Sequence, residues 1–174
     1  VGTAAIQLSK ATETEVVVTT GTEQKVQACL ALGADHAINY KETNFDAWSK
    51  EHQFSFDVIL DVVAGDYLTK NIKVAAMDAR IVILSMLGGR YCQQLDIAKL
   101  LLKRINIHAT TLRNRDTSYK SRLVSGFIKE FGIAINDDLF APVIDTVYPW
   151  QDVEQAHQKL MANQNIGKLV LVVE

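Results

Sequence analysis

EVVVTTGTEQKVQACLALGADHAINY, residues 15–40, decides how this chain folds. Glu15-Val16-Val17-Val18-Thr19 is a β-branched run bounded by turn residues, the pattern of a strand buried on both faces. Thr20-Gly21-Thr22-Glu23 follows with the Thr-x-x-Glu spacing of a capping box, which turns Glu23 back toward the backbone. Val26, Cys29, Leu30 and Gly33 then fall at i, i+3, i+4 and i+7, one face of a helix that ends at Gly33. His36-Ala37-Ile38-Asn39-Tyr40 is a short second strand. A strand, a helix and a strand in this order form a βαβ unit, whose strands run parallel.

The alternation continues outward. Upstream, residues 4–11 are small and apolar on several faces, which suits a buried helix. Downstream come a polar helix over 43–52 and a strand over 56–63 that is apolar on both faces. A helix over 67–77 then carries Leu68, Ile72, Ala75 and Ala76 on one face. A strand over 80–85 is closed by Gly88-Gly89, and a helix over 95–103 leads to a strand over 105–112. This pattern predicts an α/β domain with a doubly wound parallel sheet, right-handed crossovers and helices on both faces.

After residue 115 the pattern changes to a long helix over 116–131 and a strand-like stretch over 142–147. A helix carrying Val153, Ala156, His157, Leu160 and Met161 and a final strand over 168–173 close the chain. Residues 1–139 therefore read as the main domain and 140–174 as an appendage.

The 174 residues are 48% apolar and 22% charged, enough for one domain with a sizeable core. Eighteen Lys and Arg against twenty Asp and Glu leave a net charge of −2. With no global positive field and no basic stripe studded with aromatics, nucleic acid is not the expected partner. Apolar runs such as 16–18 and 81–84 fall far short of the ~18–20 residues of a membrane helix. Cys29 and Cys92 have no metal-ligand or disulfide spacing, which fits a reducing, cytoplasmic setting. The chain starts with no basic or cleavage-type segment, as though inside an element.

Ligands of open α/β sheets bind at the carboxyl ends of the strands. There this sequence places Thr20-Gly21-Thr22, Tyr40-Lys41, Val63-Ala64-Gly65, Ser85-Met86-Leu87-Gly88-Gly89 and Leu112-Arg113-Asn114-Arg115. Small residues let backbone amides approach a phosphate or a flat ring, and they also serve as ordinary turn residues. Val1, Gly2 and Thr3 open a helix and are consistent with the end of a glycine-rich pyrophosphate loop. Sites that prefer NAD place a carboxylate after the second strand to hold the ribose hydroxyls. Here Thr20, Gly21 and Thr22 are neutral and Lys25 lies one turn on, which suits the 2′-phosphate of NADP. The plain alternative for Lys25 is a solvated helix lysine. Tyr40 either borders the adenosine phosphate or packs as an amphipathic strand-end residue.

Asp57 and Asp61 lie too far apart along a strand for a carboxylate pair and read as a solvated end and a cap. His36, His52, His108 and His157 are scattered, and His157, on an apolar helix face, reads as a core histidine. No serine has a nucleophile-elbow context, and no residue is assigned as acid, base or nucleophile. Arg113-Asn114-Arg115, with Lys120 and Arg122, is a solvated basic patch or a phosphate contact.

VGTAAIQLSK at 1–10, LGADHAINYKE at 32–42, FDVILDVVAGDY at 56–67, SMLGG at 85–89 and NIGKLVLVV at 165–173 together resemble zinc-independent medium-chain reductases. The likeness is to quinone oxidoreductases of the zeta-crystallin type. LLKRINIHATTLRNRD at 101–116 and YKSRLV at 119–124 are similar to the branch that holds the tumour-suppressor-inducible animal enzymes and their bacterial relatives. The resemblance implies a Rossmann-type domain binding NADPH, whose first strand and most of whose glycine loop precede Val1, beside an N-terminal GroES-like catalytic domain. Further polypeptide is therefore expected upstream.

On this resemblance the pyrophosphate loop ends at Val1, Gly2 and Thr3, and the 2′-phosphate falls on Gly21, Thr22 and Lys25 with Tyr40 beside them. The nicotinamide side falls near Val63, on Ser85, Met86, Leu87 and Gly88, and on Leu112, Arg113 and Asn114. The resemblance implies an NADPH-dependent reductase that moves hydride to a quinone or conjugated carbonyl, and residues 140–174 returning to the catalytic domain. An enoyl-thioester reductase is the alternative in the same superfamily. From another class, the chain is an inactive cofactor-binding module that forms a homodimer by pairing residues 105–112 across a twofold edge.

Overall fold

A computed structural model describes residues 1–136 and 140–173. The elements run α1 (Gly2–Ala11), β1 (Val17–Thr20), α2 (Glu23–Ala31), β2 (His36–Asn39), α3 (Phe45–Glu51), β3 (Phe56–Asp61), α4 (Tyr67–Val74) and β4 (Ala75–Ile83). They continue with α5 (Ile97–Lys103), β5 (Asn106–Ala109), α6 (Thr117–Asn136), β6 (Ile144–Pro149), α7 (Val153–Met161) and β7 (Lys168–Val172). Among the described residues every strand pairing is parallel, in the orders β1-β2, β3-β4-β5 and β6-β7. The expected parallel α/β class is borne out.

The chain divides into two compact units, residues 1–42 with 125–174 and residues 43–124. The boundary expected between residues 139 and 140 adjoins 137–139, which lie outside the described residues.

In the first unit Val17 pairs with His36 and Thr20 with Asn39, and α2 packs on both strands. Val26, Ala34 and Ile38 are buried there together with Ile6 of α1 and Ala156 of α7. Asp35 ties the entry of the sheet, accepting the Val16 N–H at 2.7 Å and the Lys10 ammonium at 2.9 Å. These hydrogen bonds, the Val16 amide first, hold its carboxyl below the ordinary carboxylate value. The many-sided burial expected of α1 is corrected: Ile6 is its one buried residue. The small side chains of Ala4 and Ala5 carry little area, and the helix is tethered through polar Gln7 and Lys10. Gln7 pairs twice with the backbone of Ala141, at 3.1 and 2.8 Å, joining the two stretches of chain that make this unit.

Asp145 holds β6, α7 and the turn before β7 together. It accepts from the Lys159 ammonium, the Thr146 hydroxyl and, at 2.7 Å, the Ile166 N–H. Led by the Lys159 contact, these bonds draw the Asp145 carboxyl down to about 2. A carboxylate whose pKa falls on folding stabilises above its unfolded value and loses that contribution as pH falls through the folded value. Acid should therefore weaken the protein between about pH 4 and pH 2 through this group. Chemical melts of wild type and Asp145→Asn at stepped pH test it. A similar acid slope in both proteins across that window would assign the loss to other carboxylates.

In the second unit β4 lies between β3 and β5, with α4 and α5 packed on it. Ile72 and Ile81 are fully buried, with Val74, Ala75 and Ala79 beside them. The helix expected over 67–77 stops at Val74. Ala75 instead pairs with Phe56, and the Lys103 ammonium takes the carbonyls of Ile72, Lys73 and Ala75 at 3.4, 2.9 and 2.7 Å. Strand pairing and this capping override the helical spacing. The register then shifts, Val58 meeting Arg80, and Asp78 in between takes the left-handed conformation at φ 59°.

The burial of both strand faces expected for residues 15–19 and 56–63 is also corrected. Val58 and Leu60 are each 49% exposed, and β1 is half-buried apart from Thr19 and Thr20. Among the described residues β3 pairs with β4 alone and β1 with β2 alone, so each has one edge without a strand partner. His157, expected in a core, is exposed on α7, because the buried stripe of that helix passes through Ala156. No described helix is long and apolar enough to cross a membrane.

Candidate functional site

The turn that leaves β1 is built by Thr22. Its hydroxyl accepts the Lys25 N–H at 3.3 Å and so caps α2, and its carbonyl accepts the Val26 N–H at 3.0 Å. The capping box read from Thr20 to Glu23 is overturned. Glu23 is the first helical residue, and its carboxylate accepts from the Gln27 amide at 2.7 Å. A cap two residues later leaves Thr20 inside the strand, where it is buried and its carbonyl accepts the Tyr40 N–H at 2.9 Å.

That last bond brings Tyr40 beside Gly21. A β-carbon on Gly21 would lie 2.5 Å from the Tyr40 hydroxyl and 2.9 Å from its ring, so the absence of a side chain seats the phenol. The two residues expected at one subsite are thus in contact. Lys25, in the first turn of α2, is half-buried, and its ammonium donates to the backbone carbonyl of Asn163 at 2.6 Å and to its Oδ1 at 2.8 Å. Asn163 escaped the sequence reading because 138 residues separate the pair. Its one local signal is an asparagine just past a helix, in the left-handed conformation at φ 53°. Cys29 lies on the same helix, and burial pushes its thiol up despite the nearby Lys25 charge, which keeps it a poor nucleophile.

Val1, Gly2 and Thr3 form the first turn of α1. The Val1 carbonyl accepts the Ala5 N–H at 2.9 Å, and a β-carbon on Gly2 would meet nothing within 4 Å. The backbone at Gly2 is open to close approach.

In the second unit the strand-end loops zip together. The buried Asp61 carboxylate accepts the N–H groups of Val63 and Ala64 at 2.7 and 2.8 Å and the side-chain amide of Asn71 at 2.8 Å. The expected cap at Asp61 and solvated Asp57 are borne out, with the cap buried. The turn held this way carries a second ladder, in which Leu87 N–H meets Val62 O at 3.3 Å and Gly88 N–H meets Val63 O at 2.7 Å. Val63 and Gly88 are so close that a β-carbon on Gly88 would lie 2.6 Å from the Val63 side chain. Ser85, Met86 and Leu87 lie on the same loop, with Met86 and Leu87 exposed. Leu112, Arg113 and Asn114 form an exposed turn, held as Arg115 N–H meets Leu112 O at 3.3 Å and Lys120 reaches Arg113 O at 3.4 Å.

These features make a neutral, hydroxyl-bearing strand end with a helix N-terminus and a lysine in the first unit, and small-residue loops with apolar tips in the second. Residues 1–126 match the family described as zinc-binding dehydrogenase. The chain belongs to the zinc-binding dehydrogenase family.

Relatives of this family member include human quinone oxidoreductase, 25% identical over 180 residues, covering 99% of this chain and 51% of the relative. The human synaptic vesicle membrane protein VAT-1 homolog is 25% identical over 186 residues, covering 99% and 47%. The chain spans about half the length of the curated relatives it matches. Among solved structures, an NAD-dependent alcohol dehydrogenase superposes with a TM-score of 0.80 at 28% identity, over 99% of this chain and 48% of that one. Escherichia coli quinone oxidoreductase, solved with NADPH, superposes with a TM-score of 0.82 at 22% identity, over 99% and 53%, and shares the fold. The resemblance to medium-chain quinone oxidoreductases is borne out. The family's description names zinc, but no group of three or more His, Cys, Asp or Glu among the described residues is placed to hold a metal. These residues do not fit zinc, and no step is derived through it.

Proposed function

We propose that this chain is the NADPH-binding portion of a reductase that delivers hydride to a quinone or another conjugated carbonyl. The observation that carries the reading is the end of β1, where Thr20, Gly21 and Thr22 are neutral, the Tyr40 ring lies against Gly21, Lys25 stands in the first turn of α2, and the Glu23 carboxylate is taken by the Gln27 amide. A 2′-phosphate fits these donors, and a pair of bare ribose hydroxyls would lack their usual acceptor.

Val1, Gly2 and Thr3 would receive the pyrophosphate on the open backbone of the first turn of α1, where unpaired N–H groups favour an anion. Val63, Ser85, Met86, Leu87, Gly88, Leu112, Arg113 and Asn114 would take the nicotinamide side. The apolar side chains of Met86, Leu87 and Leu112 would cover a flat ring and exclude water, and the backbone ladder between Val63 and Gly88 holds the loop of Met86 and Leu87 in place. The nicotinamide, when bound, supplies the hydride, and the share of this chain is binding and orientation. In this reading residues 1–139 are the cofactor domain, residues 140–174 complete the catalytic domain, and the protein acts as a homodimer.

Calorimetric titration of the protein with NADPH and NADH tests the assignment. Wild type should prefer NADPH, and Lys25→Ala should weaken NADPH about tenfold through loss of a charge-assisted bond while leaving NADH unchanged. Equal weakening of both cofactors would remove the 2′-phosphate from Lys25. Failure of the holoprotein to reduce any quinone or enone with NADPH would remove the substrate class.

A further inference from the structure

We propose that Asn163 is a positioning residue for Lys25, so that the turn after α7 sets how strongly the protein discriminates a 2′-phosphate from a free ribose hydroxyl. The inference rests on the nucleotide-binding reading above and adds to it a residue from the far end of the chain.

An ammonium carries three donors. Asn163 takes two of them on adjacent oxygens, its carbonyl at 2.6 Å and its Oδ1 at 2.8 Å, which leaves one for an anion at the β1–α2 turn. Lysine otherwise loses much rotamer freedom when it is fixed on a ligand, and two acceptors already in place absorb that loss before binding. The acceptor must also be neutral. A carboxylate at this position would offset the ammonium charge and repel a phosphate, whereas an amide does neither.

The turn that carries Asn163 is tied to α7 and through it to β6. The Asn163 N–H donates to Leu160 O at 3.0 Å, and Gln164 N–H donates to Lys159 O at 3.2 Å. Lys159 is itself bound to Asp145 and Thr146 of β6. Asn163 adopts φ 53°, a conformation that asparagine and glycine tolerate, so both of its oxygens reach the same cation without a strained backbone.

The test uses adenosine 2′,5′-bisphosphate and adenosine 5′-monophosphate as probes in calorimetry, which separates the phosphate contact from any turnover. Asn163→Gly keeps the left-handed backbone and removes Oδ1, and it should weaken the bisphosphate about threefold to tenfold. Asn163→Asp should weaken it about tenfold or more through repulsion. Neither should change the monophosphate, a selectivity that general loosening of the fold would not produce. In a Lys25→Ala background, Asn163→Gly should have no further effect. If Lys25→Ala weakens the bisphosphate while Asn163→Gly and Asn163→Asp leave it unchanged or tighter, Asn163 has no positioning role and the reading of Lys25 stands. If Lys25→Ala leaves the preference between the two probes unaltered, the 2′-phosphate subsite and the role of Asn163 fall together.

Discussion

Replacing Asp61 with alanine should cost about 3–4 kcal/mol of stability, because it strands three donors in a buried turn. The carboxylate is 4% exposed and serves Val63 N–H, Ala64 N–H and the Asn71 amide, all at 2.7 to 2.8 Å. No other acceptor in the turn can take over all three, and a cavity the size of a carboxylate admits at most a water or two. Asp61→Asn retains one acceptor oxygen and should lose about half as much. The effect should also reach the proposed nicotinamide side, since the Val63 carbonyl that orders Gly88 belongs to the turn that Asp61 holds. Urea melts of the two variants give the numbers. A loss below about 1 kcal/mol in Asp61→Ala would mean that the turn is held by its backbone ladder rather than by the carboxylate.

Gly167→Ala should be comparably damaging, at about 3 kcal/mol, for a different reason. A β-carbon at Gly167 would sit 2.3 Å from the Val143 carbonyl oxygen and 2.9 Å from its carbon, and φ is +95°. Neither neighbour can yield cheaply, because the Val143 carbonyl accepts the Lys168 N–H at 2.8 Å where β7 begins. Gly89 supplies the control: its φ is +137° but a β-carbon there meets nothing within 4 Å. Gly89→Ala should therefore show the backbone cost alone, about 1–2 kcal/mol, and the difference between the variants is the steric part. Equal losses in guanidinium melts would show that the Val143 backbone moves aside freely.

The strands, helices and loops that carry the proposed site follow from short-range chemistry. Residues 15–40 alone contain the β-branched run, the turn of small and hydroxyl residues, the helical spacing to Gly33 and the second strand, and each lies where the pattern puts it within a residue or two. The loops at residues 21–22, 63–65 and 85–89 are legible for the same reason: glycine and hydroxyl residues after an apolar run end a strand whatever packs on it. Gly21 against Tyr40 joins two neighbouring strand ends, and a βαβ unit brings those together by topology.

Tertiary structure decided what depends on groups distant in sequence. Ala75, Ala76 and Met77 continue a helical spacing, yet pairing with Phe56 and the Lys103 cap make Ala75 the first residue of β4. Thr20 and Thr22 both suit a cap, and the bond from Tyr40 N–H to Thr20 O keeps Thr20 in the sheet and leaves the role to Thr22. In the sequence Lys25 reads as a 2′-phosphate contact or a solvated helix lysine, and only the fold brings Asn163 to it. Periodicity and turn chemistry act over a few residues, so one sequence window contains their causes. A capping ammonium, a strand partner or a lysine's acceptor is fixed by chain closure across tens to hundreds of residues, and no window of the sequence contains both halves of such a contact.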